Sequence, residues 1–134
     1  MGAEKPGLSV LMSVYYKETA AHLNECLQSL AAQTLPADEI VIVKDGGLTP
    51  ELERCLAEWQ PKLPLVIVGY EENKGLAYAL NYGIQFCSRE LTARMDSDDI
   101  CLPDRFEKQL AYFAAHKDTV ILGGNILEFY EDIQ

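Results

Sequence analysis

Apolar runs and helical stripes alternate along this chain, and that alternation limits the fold more than any other feature. Residues 8–15, LSVLMSVY, form a near-continuous apolar run, as expected of a strand buried on both faces. Residues 20–32 follow with Leu23, Cys26, Leu27 and Leu30 at helical spacing, and Thr19 suits the N-cap. Pro36 closes this unit. A second strand spans Glu39 to Lys44 and is broken by Asp45-Gly46-Gly47. A helix over 50–60 then places Leu52, Cys55, Leu56 and Trp59 on one face, with Pro50 in its first turn. Leu65 to Val68 reads as a third strand. A helix over 75–88 carries a stripe of Leu76, Leu80, Ile84 and Cys87. Glu90 to Met95 reads as a fourth strand, and a helix over 103–116 follows with Phe106, Leu110 and Phe113. Thr119 to Leu122 begins a fifth strand that can run on to Phe129.

Such alternation predicts an α/β fold: a doubly wound, mainly parallel, Rossmann-like sheet with helices on both faces. Right-handed crossovers and a doubly wound strand order are the default for such a chain, and an order of 3-2-1-4 would put strands one and four at the switch point. The 134 residues read as one domain, 1–134, with no repeat and no low-complexity segment. Ligands of these sheets bind beyond the carboxyl ends of the strands, where the order reverses. Polar residues collect at those ends. They are Ser13, Tyr15, Tyr16, Lys17 and Glu18, then Asp45, then Glu71 to Gly75, then Asp96-Ser97-Asp98-Asp99.

That last tetrad holds three carboxylates in four residues. A fold tolerates such a cluster only with solvent, a helix N-terminus or a cation beside it. At a strand end, the D-x-D spacing points to a divalent metal holding a diphosphate. Charge sharpens the point. With 21 acids against 11 bases the net charge is −10, and no basic cluster appears, which argues against a nucleic-acid partner. An anionic ligand in so acidic a chain needs a metal, backbone N–H groups or a few placed cations. Cysteines 26, 55, 87 and 101 form no C-x-x-C pair, so they read as small apolar residues of a reducing compartment rather than a zinc site. No signal peptide and no run of membrane-spanning length is visible. The expected location is cytoplasmic, with the full-length protein peripheral to the inner membrane as a variant of that expectation.

Five segments in order resemble family 2 glycosyltransferases of the GT-A fold. They are SVLMSVY (9–15), CLQSL (26–30) with Gln33-Thr34, EIVIVKDG (39–46), NKG (73–75) with Ala79 and NYG (81–83), and DSDDICLPDR (96–105). The similarity runs from residue 8 to about 128 and matches the family's N-terminal, nucleotide-binding half. It implies transfer of a sugar, with inversion, from a nucleotide-diphosphate donor to a hydroxyl of an acceptor sugar or lipid-linked glycan. UDP-sugars are favoured as donors by family habit. Mg2+ or Mn2+ would serve as cofactor, bound by Asp98 and stabilising the diphosphate leaving group. Asp96 would contact ribose, and Asp45 would accept a hydrogen bond from the base. Ser13 and Tyr15 would frame base and ribose, and Lys74 would reach base or phosphate. Lys44 stands where the family often has a second Asp, and would add positive charge near the anion. Asp99 would cap or orient the next helix, Asp104 would be structural, and Arg94 would pair with a tetrad carboxylate.

The resemblance places the general base of the reaction well past the acidic segment, beyond Gln134. Glu131-Asp132 comes too early in that order and reads as surface charge. The catalytic residue is thus expected outside these 134 residues, in a truncated region that binds nucleotide without transferring sugar. Its fifth strand, lacking later neighbours, would fray, re-pair or join another copy of the chain. Three other readings stand beside this one. A metal-dependent phosphohydrolase would need a nucleophilic Asp after the first strand. A receiver-like signalling domain would need an acidic pair there and an Asp after the third. A catalytically inactive nucleotide-binding relative meets every sequence requirement.

Overall fold

A computed structural model describes residues 7–115 and 126–127. Its elements are β1 (Leu8–Val14), α1 (Ala20–Ala31), β2 (Glu39–Asp45), α2 (Pro50–Trp59), β3 (Leu65–Tyr70), α3 (Leu76–Ile84), β4 (Leu91–Arg94), α4 (Arg105–Ala115) and β5 (Ile126–Leu127). The strands form one sheet in the order β3-β2-β1-β4-β5, and every pairing is parallel. The expected 3-2-1-4 order is the one found. The chain reverses direction of travel across the sheet at β1 and β4, which pair Leu8 with Leu91 through Leu11 with Arg94.

Alternation along β1 feeds two cores. Val10, Met12 and Val14 pack with Leu23, Cys26, Leu27, Leu52, Leu56 and Phe106, beneath α1, α2 and α4. Leu11 turns to the other face and packs with Val41, Val43 and Ala79, beneath α3. The Thr19 cap forms as the sequence implies, and Thr49 caps the second helix in the same way. Thr19 Oγ1 accepts from His22 N and Thr49 Oγ1 from Leu52 N, each at 3.2 Å.

One sequence expectation needs correction at a single residue. Of the stripe foreseen on the third helix, Leu80, Ile84 and Cys87 are half-buried and pack against the second core, but Leu76 is not part of the buried face. Ala79 and Gly83 are buried, whereas Leu76 is 50 % exposed, and the helix ends before Cys87. The cause is close approach: a Cβ on Gly83 would lie 2.5 Å from Val43 Cγ2 and 2.6 Å from Leu11 Cδ1. Only small residues let the helix sit this near the sheet. Gly83→Ala should therefore cost about 1–3 kcal/mol in urea unfolding through overpacking, despite the better helix propensity of alanine. Unchanged stability would contradict the close packing. The fifth strand expected over 119–129 falls only partly among the described residues. Thr119 to Leu122 lie outside the described residues, as do Glu131, Asp132 and Gln134. The described piece is Ile126–Leu127, which pairs with Thr92 and Ala93 of β4.

Glu39 fastens the opposite rim. Its carboxylate accepts from Ser9 Oγ at 2.7 Å and from Ser88 N at 2.6 Å, joining β1, β2 and the approach to β4. Burial pushes its pKa up, but the Ser9 and Ser88 hydrogen bonds, with Arg89 nearby, outweigh burial and hold it below the ordinary carboxylate range. A depressed folded-state pKa stabilises above the unfolded value and is lost as pH falls through the folded one. Glu39→Gln should thus lower the urea midpoint at pH 7 and lose that effect once acid has protonated Glu39 in the wild type. An equal deficit at neutral and acid pH would contradict this linkage.

Candidate functional site

The carboxyl ends of β1, β2 and β4 open on a cavity of about 380 Å3. Ser13 and Tyr15 line it from β1 and the turn beyond, with Glu18 just before α1. Asp45 lies at the end of β2, and Asn73, Gly75 and Leu76 lead into α3. Asp96, Ser97 and Asp98 follow β4. Its size lies within the range of small-molecule pockets. Of the residues expected from sequence, Ser13, Tyr15, Asp45, Asp96 and Asp98 meet here. Lys74 does not line the cavity. Its Nζ lies 5.2 Å above the Tyr78 ring and 4.0 Å from Glu72. Lys44 also turns away, to Glu53 at 3.1 Å, so the positive charge expected of it is spent elsewhere.

Asp45 is 3 % exposed and surrounded by donors. Oδ1 accepts from Tyr70 Oη at 2.9 Å and Lys74 N at 2.7 Å. Oδ2 accepts from Gly75 N at 3.1 Å and Asn73 Nδ2 at 3.3 Å. Four donors occupy about the four lone-pair sites a carboxylate has. The two N–H groups before α3 are thus already bound to an anion. Asn73 serves Asp45 as well, and the N-cap of α3 is Gly75. Gly46 permits the approach, with φ of 89° and a virtual Cβ only 2.7 Å from Asn73 N. Burial, followed by the Asp45 hydrogen bond and charge, pushes the Tyr70 phenol above its ordinary range, so it remains a donor at neutral pH.

The acidic loop is held from below by α1. Asp96 N donates to Asp99 Oδ2 at 3.2 Å and Asp99 N to Asp96 O at 3.1 Å. Asp99 therefore closes its own loop, rather than capping α4 as expected. The Cys26 thiol, kept neutral by burial, donates to Asp96 O at 3.7 Å. Cys101 N donates to Ser29 Oγ at 3.0 Å. Gln33 Nε2 donates to Leu102 O at 2.6 Å, and Gln33 Oε1 accepts from Phe106 N at 3.0 Å. Asp104 pairs with Lys108 at 3.2 Å, the structural role foreseen for it.

Carboxylate oxygens of Asp96, Asp98 and Asp99 can lie within 4.8 Å of one another, and all three residues are exposed. Hard oxygen donors on an open loop fit Mg2+ or Mn2+, whose remaining positions are filled by water and phosphate. Glu18, Asp45, Asp96 and Asp98 make the cavity wall acidic. A diphosphate entering it meets repulsion that a cation would reverse.

A wholly parallel 3-2-1-4 core with an acidic loop beyond its switch point is the nucleotide-binding architecture of GT-A glycosyltransferases, and solved structures bear this out. The chain superposes on S. aureus TarS 1-349 in complex with UDP with a TM-score of 0.74 at 26 % identity, covering 83 % of this chain and 33 % of that one. The mannosyltransferase PcManGT from Pyrobaculum calidifontis, solved with GDP-Man and Mn2+, gives 0.73 at 25 % identity over the same shares. The chain belongs to glycosyl transferase family 2, whose sequence model matches residues 9–133.

Among curated relatives it is 51 % identical to an uncharacterized glycosyltransferase of Haemophilus influenzae, over 93 % of this chain and 47 % of that protein. It is 50 % identical to the amylovoran biosynthesis glycosyltransferase AmsE of Erwinia amylovora, over 92 % and 46 %. An Escherichia coli UDP-Gal:alpha-D-GlcNAc-diphosphoundecaprenol beta-1,3-galactosyltransferase matches at 38 %, over 96 % and 47 %. The chain thus spans about half the length of the curated relatives it matches.

Sequence reasoning missed Glu18, Ser97 and Tyr70 as parts of the site. For Ser97 a signal existed. Met95 and Ser97 are buried while Asp96 and Asp98 are exposed, a two-residue alternation that continues out of β4.

Proposed function

We propose that these residues bind the nucleotide-diphosphate half of a sugar donor together with Mg2+ or Mn2+, for inverting transfer of the sugar to an acceptor hydroxyl. The observation that carries this reading is the acidic cavity at the β1–β4 switch point, lined by Asp96 and Asp98. Asp98 would hold the metal, with Asp96 beside it toward the ribose. Ser13 and Tyr15 would frame base and ribose, the Tyr15 ring being 43 % exposed and able to stack. Lys74 would have to leave the Tyr78 ring to meet a phosphate. Asp45 would accept from a base only if one of its four present donors gave way, so its first contribution is to shape the turn at 73–75.

A bound divalent cation would neutralise the diphosphate and stabilise it as a leaving group. The protein's own part in that step is to hold two carboxylates outward and keep the donor's base end oriented. Deprotonation of the acceptor is assigned to a base beyond Gln134, in the part of the family fold that follows the acidic segment. We therefore expect the 134 residues to bind donor without turning it over. The acceptor reading, a sugar or lipid-linked glycan, rests on relatives such as the E. coli galactosyltransferase.

UDP is favoured over other nucleotides because the TarS complex and that galactosyltransferase both name uridine donors, though PcManGT binds GDP-Man. Calorimetric titration of UDP, GDP and dTDP in Mn2+ should give the tightest binding for UDP. Equal affinities would contradict a uridine preference.

A further inference from the structure

We propose that Glu18 is a positioning residue for the metal loop, acting through Ser97, the residue between the two aspartates. Ser97 is 7 % exposed, and its Oγ donates to Glu18 Oε2. Its neighbours Asp96 and Asp98 are exposed on the cavity side. Tethering the middle residue inward leaves the flanking carboxylates one orientation, outward. A loop with three carboxylates would otherwise spread to relieve their repulsion.

Glu18 is itself fixed, which is what makes it an anchor. Its side chain is only 10 % exposed. Oε1 accepts from Thr19 N at 2.9 Å and lies 3.4 Å from His22 Nδ1. Glu18 N donates to Tyr15 O at 3.0 Å, closing the turn that carries the cavity-lining Tyr15. The carboxylate sits at the N-terminus of α1, where the helix field favours a negative charge. One side chain thereby ties the β1 turn, the start of α1 and the acidic loop together. The Cys26 thiol on Asp96 O is a second tether from the same helix.

This inference rests on the reading that Asp98 and Asp96 serve a metal-bound nucleotide, and the test separates the two. UDP affinity is measured by calorimetry with and without Mn2+, and the ratio of the two is the readout. Ser97→Ala removes the tether and leaves the Glu18 charge in place. It should shrink the ratio about tenfold, as loss of outer-shell partners of a metal site does. Glu18→Gln, with one acceptor oxygen in place of two, should shrink it as well, and the double variant should lose no more than the single ones. Ser97→Thr, which keeps a hydroxyl, should retain most of the wild-type ratio.

Thermal midpoints of all four variants show whether each is folded. A loop merely loosened would lower the midpoint and spare the ratio. A wild-type ratio well above one that persists in Ser97→Ala would overturn the positioning role alone. A wild-type ratio of one would overturn the metal reading and this inference with it.

Discussion

Asp98→Asn should remove nearly all of the gain in UDP affinity that Mn2+ confers. The side chain is exposed and lines the cavity, so the fold does not depend on its charge. Surface changes of this kind usually move stability by no more than about 0.5 kcal/mol. Its effect on the ligand is larger. An amide is a poor partner for a hard dication, and only a few protein oxygens share the site with phosphates and water. Losing one should weaken manganese-dependent binding on the order of 100-fold, at the top of the range for an outer-shell partner. That corresponds to about 2.7 kcal/mol. Asp99→Asn is the informative comparison, because Asp99 Oδ2 already accepts from Asp96 N. It should cost less than Asp98→Asn, and the reverse order would reassign the metal ligand.

Asp45→Asn should act the other way round, on stability first. The present carboxylate satisfies a phenol, a side-chain amide and two backbone N–H groups while almost fully buried. An asparagine in the same place points an NH2 at two of those donors. Leaving buried donors unsatisfied costs about 1–3 kcal/mol each, so we expect a loss of about 3 kcal/mol or more. That is a large part of the 5–15 kcal/mol or so that typically holds a domain folded. A lower urea midpoint at unchanged slope would report it. Tyr70→Phe removes one donor and leaves the charge with three, so it should cost about 1 kcal/mol. If Asp45→Asn proved as stable as wild type while UDP binding collapsed, Asp45 would be a direct ligand and not an organiser of the turn.

Much of the fold is legible in the amino-acid sequence. Parallel pairing with helices on both faces follows from alternation, because crossover handedness leaves such a sheet few choices, and the family resemblance narrows the strand order to 3-2-1-4. The helices α1 and α2 match their stripes because leucines and cysteines there fill ordinary gaps between helix and sheet. The α3 stripe is right for Leu80, Ile84 and Cys87, which pack on the second core, and misleads at Leu76 because hydrophobicity counts methylenes and not distance: at a helix this close to the sheet, Ala79 and Gly83 are the fully buried residues and Leu76 is left to line the cavity. The acidic loop is legible from its spacing as a candidate metal site. What holds it is not, since Glu18, Cys26, Ser29 and Gln33 lie about 70 residues or more earlier in the chain and act through single hydrogen bonds. Lys44 and Lys74 mislead for a related reason. Sequence places a lysine at a strand end but does not say which acid or ring its four-carbon stem will find.

The central proposal is that this acidic cavity receives an anionic ligand only with a cation. Titration of the wild-type protein with UDP, in Mn2+ and then in excess chelator, tests that claim directly. Affinity should fall at least about 100-fold on chelation, because the repulsion from Glu18, Asp96 and Asp98 is then uncompensated. Equal affinity in both conditions would contradict the central claim and leave the clustered aspartates without the role assigned to them.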